Sequence, residues 1–182
     1  VLIGLPPVVA PDCRVLVLGS MPGAASLQAA RYYAHPRNRF WPVMAALTGV
    51  AVEAPYEERL AASQRAGIGL WDVIGECRRA GSLDSAIVRG SERPNPVAGL
   101  VHGLAALRGI ALNGGTAASL FRRHIQPQLD DAWTRRVQII ALPSTSPAHA
   151  AMDLARLREA WEVLRPLLSA SGVRGASRRT EP

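Results

Sequence analysis

The sequence predicts an α/β protein, a three-layer α/β/α sandwich built on a central, mostly parallel four-stranded sheet. Two patterns carry this. Four short apolar segments, Val15–Leu18, Gly69–Val73, Ile110–Leu112 and Val137–Leu142, run without a clean period-two alternation, as strands covered on both faces do. The stretches between them have helical spacing, and strands alternating with helices close into a parallel sheet between helical layers. Length agrees: 182 residues, 48% of them hydrophobic, suffice for one core, and neither an internal repeat nor a Pro/Gly/Ser linker divides the chain.

The first strand, Val15–Leu18, is followed by the small-residue run GSMPGAAS (Gly19–Ser26). Asn38–Leu47 is expected to be a helix, with Phe40, Trp41, Met44 and Leu47 recurring on one side; Phe40 and Trp41 read as its core residues. Pro55–Ala66, rich in Glu, Arg and Ala, is a second helix and leads into the strand Gly69–Val73. A third runs from about Pro96 to Leu107 before Ile110–Leu112. Thr116–His124 is a fourth, before Val137–Leu142. Asp153–Leu168 is the last, with Leu154, Leu157, Trp161, Leu164 and Leu168 on one stripe and charges opposite. One folded domain is therefore expected over residues 1–168. Ser169–Pro182 loses all apolar periodicity and reads as a disordered basic tail. The start, VLIGLPPVVAPD, has no basic n-region and reads as a trimmed N-terminus, not a signal peptide.

Composition removes several function classes. No apolar run reaches the roughly 20 residues that span a bilayer. Cys13 and Cys77 are the only cysteines, too few for a disulfide framework, a four-cysteine zinc site or an iron–sulfur cluster. Two reduced thiols in a cytoplasmic protein is the simple reading. All 21 basic residues are arginine, which excludes a lysine Schiff base and the lysine of a phosphate-binding loop. The four histidines are scattered and HExxH, GxSxG and GxGxxG are absent, so no metal and no cofactor is expected. A net charge of +7 suits a polyanionic partner, or simply a basic soluble protein.

In open parallel sheets, ligands bind outside the carboxyl ends of the strands. The residues after the strands are GSMPGAAS, Trp71-Asp72, NGGT (Asn113–Thr116) and PSTSPAHA (Pro143–Ala150). Three of the four are rich in Gly, Ser, Thr and Pro, the chemistry of tight turns that present N–H groups to an anion. The distinctive stretch is RYYAHPRNRFW (Arg31–Trp41), with three arginines and four of the chain's nine aromatics in eleven residues. Arginines interleaved with aromatics suit a site that holds a phosphate backbone and stacks a base. Tyr32 and Tyr33, in the loop before the helix, are read as functional.

GSMPGAASLQAARYYAHPRNRFW (Gly19–Trp41) resembles the first motif of the uracil-DNA glycosylase superfamily, closest to the mismatch-specific pattern of a GxNPG turn followed by AHPxNRFW. With LPSTSPAHA (Leu142–Ala150) at the second motif's position, and GIGLWDVI (Gly67–Ile74) and LNGGTAASLF (Leu112–Phe121) between them, the chain is most similar to the hypoxanthine-DNA glycosylase branch, family 6. The resemblance covers residues from about 15 to 152. It implies an α/β/α domain that flips a deaminated base out of DNA and hydrolyses its N-glycosidic bond. It also implies a base-binding set of Tyr33 as stacking platform, the turn residues Gly19, Ser20 and Met21, Asn113, and Asp72 where relatives place a base-reading Asn. Asn38 and Ser144 are the implied catalytic groups. Ser26, His35, Arg37, Thr145, Ser146 and His149 are implied to contact DNA. Three departures stand out. Met21 occupies the slot of the water-positioning Asn or Asp, Ser144 that of a His, and Ala148 that of a leucine wedge.

Hydrolysis of an N-glycosidic bond builds positive charge on the sugar and negative charge on the leaving base, and pocket donors that hold the anion lower the barrier. The amide of Asn38 carries two donors and an acceptor; it serves the base or the water, or else caps the helix it opens. Asp72 has three readings: an ionised acceptor for a base N–H, a carboxyl kept protonated by burial, or a structural cap on backbone N–H groups. A monofunctional glycosylase leaving an abasic site is expected, working as a monomer on DNA with hypoxanthine, uracil or both as the base. A non-catalytic nucleic-acid-binding module on the same scaffold is the alternative, because Met21 and Ser144 replace the usual pair.

Overall fold

Residues 1–169 are described by a computed structural model; the expected basic tail lies, Ser169 apart, outside the described residues. The chain begins with a two-residue strand β1 (Leu2–Ile3), then β2 (Val15–Gly19), α1 (Ala24–Ala29), α2 (Phe40–Thr48) and α3 (Tyr56–Arg65). Next come β3 (Ile68–Asp72), β4 (Ile74–Cys77), β5 (Arg93–Pro94), α4 (Val97–His102), β6 (Gly109–Asn113) and α5 (Gly115–His124). The last elements are α6 (Asp131–Arg136), β7 (Gln138–Leu142), α7 (Leu154–Trp161) and α8 (Arg165–Leu168).

The four apolar runs form one sheet in the order β3-β2-β6-β7, every pair parallel. β2 lies inside it with all five residues buried, which is why its sequence shows no polar alternation. Its side chains still divide by parity. Leu16 and Leu18 pack with Val97, Val101, Phe121 and Trp133 from α4, α5 and α6. Val15 and Val17 pack with Phe40, Met44, Leu157 and Trp161 from α2 and α7. Two cores on opposite faces of one sheet make the three-layer sandwich.

Differences from the expected elements have local causes. Asp153–Leu168 is not one helix: α7 ends at Trp161 and a 3-10 turn, Glu162–Leu164, joins it to α8. Pro166 in the next turn lacks an N–H to donate back along a helix. Leu157, Trp161 and Leu164 of the expected stripe are nonetheless buried. α4 stops at His102, before Gly103, and Leu104 and Leu107 reach the core without helix. Two helices are additional, α1 inside the run of small residues and α6, which Asp130 caps by accepting the Trp133 N–H at 2.7 Å. A second sheet, β1-β4-β5, antiparallel, is also additional, and two of its strands have two residues each. No strand that short leaves a period to read. Both cysteines are buried and free. Among the described residues no helix is long and apolar enough to cross a membrane.

Candidate active site

Parallel pairing brings the carboxyl ends of the strands to one edge. Gly19 pairs with Asp72, and Asn113 with Leu142. A cavity of about 740 Å³ opens there, a size that suits a small organic ligand. Every site residue expected from the sequence lines it except Arg37, which is exposed on the loop before α2. Gly19 is required by the packing: a Cβ there would collide with Asp72 Oδ1.

The Arg31–Trp41 stretch divides into structural and cavity-facing residues. Phe40 and Trp41 are buried, as expected of the following helix. Tyr32 is buried while bordering the cavity, and its hydroxyl is held by the carbonyls of Leu5 and Pro6, at 3.3 and 2.9 Å, so it ties the N-terminal segment down. Tyr33 has a left-handed backbone (φ 54) and its ring stacks on Phe40 at 3.8 Å between centroids. One face is thereby taken, and at most the other is left for a base. The Tyr33 hydroxyl accepts from Asn113 Nδ2 at 3.3 Å, and burial pushes its pKa up, so it stays a neutral phenol. Asn38 Oδ1 accepts the Phe40 N–H at 2.9 Å, an Asx turn that leads into α2 one residue ahead of its N-cap, Arg39, so the expected helix cap is corrected to a turn before the cap. Its Nδ2 has no hydrogen-bond partner among the described residues, and the residue lines the cavity. The turn into the helix and a free pair of donors therefore coexist on one amide.

Asp72 is 4% exposed at the end of β3. Its carboxyl takes no hydrogen bond from the described residues and Oδ2 is buried without a partner, so the expected alternative of a cap on backbone N–H groups is corrected. Burial first, then the nearby Asp84 charge, push its pKa up from 3.8 to about 7, against the opposing pull of Arg79. Met21 is turned into the core, 5% exposed, beside Trp71 and Leu18 while edging the cavity.

The second motif is a loop built from its own hydroxyls. Ser144 Oγ accepts the Ser146 N–H at 3.1 Å and Ser146 Oγ the Ala148 N–H at 3.2 Å. Thr145 is fully buried: its N–H donates to Asn113 Oδ1 at 3.0 Å, and its hydroxyl accepts from Asn113 Nδ2 at 2.9 Å. The backbone donor fixes the orientation of the Asn113 amide, which is spent on joining β6, Tyr33 and this loop. Two of the expected DNA contacts are corrected by burial. Thr145 has no surface, and Ser26 is 6% exposed with its hydroxyl accepting the Ala34 N–H at 3.1 Å. Ser144 also abuts Gly114 (φ +98), where a Cβ would come within 2.9 Å of the serine's own.

Two further contributors complete the site. The sequence leaves Arg39 open between the DNA-facing patch and an internal partner on its helix; its guanidinium donates to the carbonyls of Ser146, His149 and Met152, in the second motif's loop, and its N–H donates to Thr145 O at 3.0 Å. It fastens the second motif to the first. Arg39→Ala is expected to lower stability by about 2–3 kcal/mol, measured by thermal melting; an unchanged melt would mean the loop is held elsewhere. The second is the segment Ser82–Ser85, a wall of the cavity. Ser20 Oγ donates to Asp84 Oδ2 at 2.7 Å, and buried Arg79 donates to Pro22 O and faces Asp84 Oδ1 at 3.8 Å. Only the G-S-L-D-S turn composition hints at it, and nothing local says which wall it joins.

A parallel-sheet sandwich whose strand-end cleft carries hydroxyls, an aromatic stack and a buried carboxyl belongs to the class of folds that can hold a small planar group with polar edges. The comparisons narrow that class. The sequence profile described as "Uracil DNA glycosylase superfamily" matches residues 6–165, and the chain belongs to that superfamily. It is 40% identical over 85 residues to a hypoxanthine DNA glycosylase of Methanosarcina barkeri, covering 46% of this chain and 54% of that one. It is 36% identical over 115 residues to a hypoxanthine DNA glycosylase of Methanosarcina acetivorans, covering 63% and 72%. The first of these matches thus spans about half the relative's length. The fold is similar to a solution NMR structure of a candidate uracil DNA glycosylase from M. acetivorans, with TM-score 0.74, 30% identity, and coverage of 91% of this chain and 97% of that one.

Proposed function

We propose that this protein is a monofunctional DNA glycosylase that extrudes a deaminated base, hypoxanthine or uracil, into the cavity and hydrolyses its N-glycosidic bond. The observation that carries the reading is Asn38, whose Oδ1 is fixed by the Phe40 N–H while Nδ2 is left with no protein partner at the cavity. Such an amide is preorganised, since no reorientation is needed when charge develops. The C–N bond breaks with its electron pair going to the base, and a water oxygen bonds to the sugar carbon, giving an abasic site and the free base. Nδ2 donates to the departing anion or to the incoming water. The Tyr33 face not covered by Phe40 stacks the base, worth about 1–3 kcal/mol. A neutral Asp72 offers Oδ1 to the lactam that hypoxanthine and uracil share, Oδ2 being buried, without placing a charge beside the leaving anion. With no lysine in the chain, strand cleavage through a Schiff base has no nucleophile.

The test is incubation with duplexes carrying one deoxyinosine or one deoxyuridine, followed by alkali. Strand scission at the lesion is expected for at least one of them, and only after alkali. Retention of the duplex without scission for either lesion would favour a nucleic-acid-binding module, a reading that the replacement of the usual Asn or Asp by core-packed Met21 keeps in view.

A further inference from the structure

Five large apolar side chains are exposed among the described residues, and of these only Leu83 lines the cavity, 58% exposed. A solitary surface leucine needs no explanation, but this one is mounted on a fixed base. Its neighbour Ser82 accepts the Ala24 N–H through Oγ at 2.9 Å. Its other neighbour, Asp84, accepts the Ser20 hydroxyl at 2.7 Å. Both flanks are thus tied to the turn and helix that follow β2. Behind them buried Arg79 donates to Gly81 O at 3.1 Å and holds the turn closed. Leu83 itself is extended (φ −77, ψ 133), immediately before the 3-10 turn Asp84–Ala86. The second motif, Ser144–His149, which also lines the cavity, supplies only Ser, Thr, Pro, Ala and His. Of these two lining segments, only Ser82–Ser85 carries a large apolar side chain.

We propose that Leu83 is the wedge that enters the duplex at the cavity mouth and fills the stack position vacated by the extruded base. This rests on the glycosylase reading above and deepens it. Rotating a nucleotide out leaves two base faces unstacked against water. An apolar side chain in the gap covers them and hinders the nucleotide's return. A rigid mount lets it do so without the entropy loss of ordering a loop on contact. In single-stranded DNA there is no paired stack to hold open, so the wedge has nothing to do.

The experiment compares single-turnover base release from deoxyinosine and deoxyuridine in duplex and in single-stranded DNA, for wild type, Leu83→Ala and Leu83→Met. A second readout is the fluorescence of a 2-aminopurine placed beside the lesion, which brightens when its neighbour unstacks. Leu83 is too exposed for its loss to unfold the domain. Leu83→Ala is expected to slow release from duplex by about tenfold or more, to leave single-strand release within about twofold, and to lose the fluorescence rise; Leu83→Met restores all three. Equal loss on both substrates, or none on the duplex, overturns the wedge. If wild type releases neither base from either substrate, the glycosylase reading falls by itself. The fluorescence then decides the wedge alone, and a rise equal in wild type and Leu83→Ala overturns it.

Discussion

Asn38→Asp is expected to melt like wild type and to release base on the order of a hundredfold more slowly, the scale of losing one preorganised donor. Aspartate keeps the oxygen that accepts the Phe40 N–H, and a carboxylate makes the same Asx turn before a helix as an amide does. It removes the Nδ2 donors, however, and sets negative charge where the leaving base becomes an anion. Asn38→Ala loses both functions: about 1 kcal/mol of stability with the turn's hydrogen bond, and the same order of activity. The pair of variants separates turn from chemistry, through single-turnover excision alongside thermal melts. Wild-type excision by Asn38→Asp would leave Asn38 as a turn residue only and move the donor role to backbone N–H groups of Gly19–Gly23.

Base release by the wild type is expected to be level below about pH 7 and to fall by about a hundredfold between pH 7 and pH 9, tenfold per unit, as Asp72 ionises. Asp72→Asn should remain active and lose this descending limb, because an amide is neutral at every pH. Stability follows the same proton. The folded pKa, about 7, lies above the ordinary 3.8, so the folded state holds a proton that the unfolded chain has lost. The contribution is whole below about pH 4 and is lost as pH rises to about 7. Asp72→Asn should therefore melt no lower than wild type at pH 8. A profile that instead rises through pH 7 would mean that the ionised carboxylate reads the base N–H. One that Asp72→Asn leaves unaltered would remove Asp72 from the site.

The central sheet was legible in the sequence because β2, β3 and β6 are buried on both faces, so that a run such as Val15–Leu18 is apolar throughout, and because β7 at the edge, exposed or half-buried up to Leu142, still carries Ile139, Ile140 and Leu142. The position of the cleft followed from that, since parallel strands put Gly19, Asp72, Asn113 and Leu142 at one edge whatever the loops do. Asn38 was legible too as a residue beside the cleft, although it makes the turn before α2 and Arg39 holds the cap position. Tyr32 and Tyr33 were not separable: adjacent residues of one type look alike in sequence, and only the fold gives one hydroxyl to the carbonyls of Leu5 and Pro6 and the other to Asn113.

Length, apolar runs and strand-end residues thus determined the sandwich, its carboxyl-edge cleft and the residue types facing it. Tertiary structure alone decided which polar groups are spent and which are free. The Asn113 amide is consumed by Thr145, the Arg39 guanidinium by three loop carbonyls, and Ser20 by Asp84. The Asn38 Nδ2 and the Asp72 carboxyl are left without partners among the described residues. The partners that settle this come mostly from segments tens of residues away. Hydrogen-bond satisfaction and burial are properties of the assembled neighbourhood, so no local pattern can carry them.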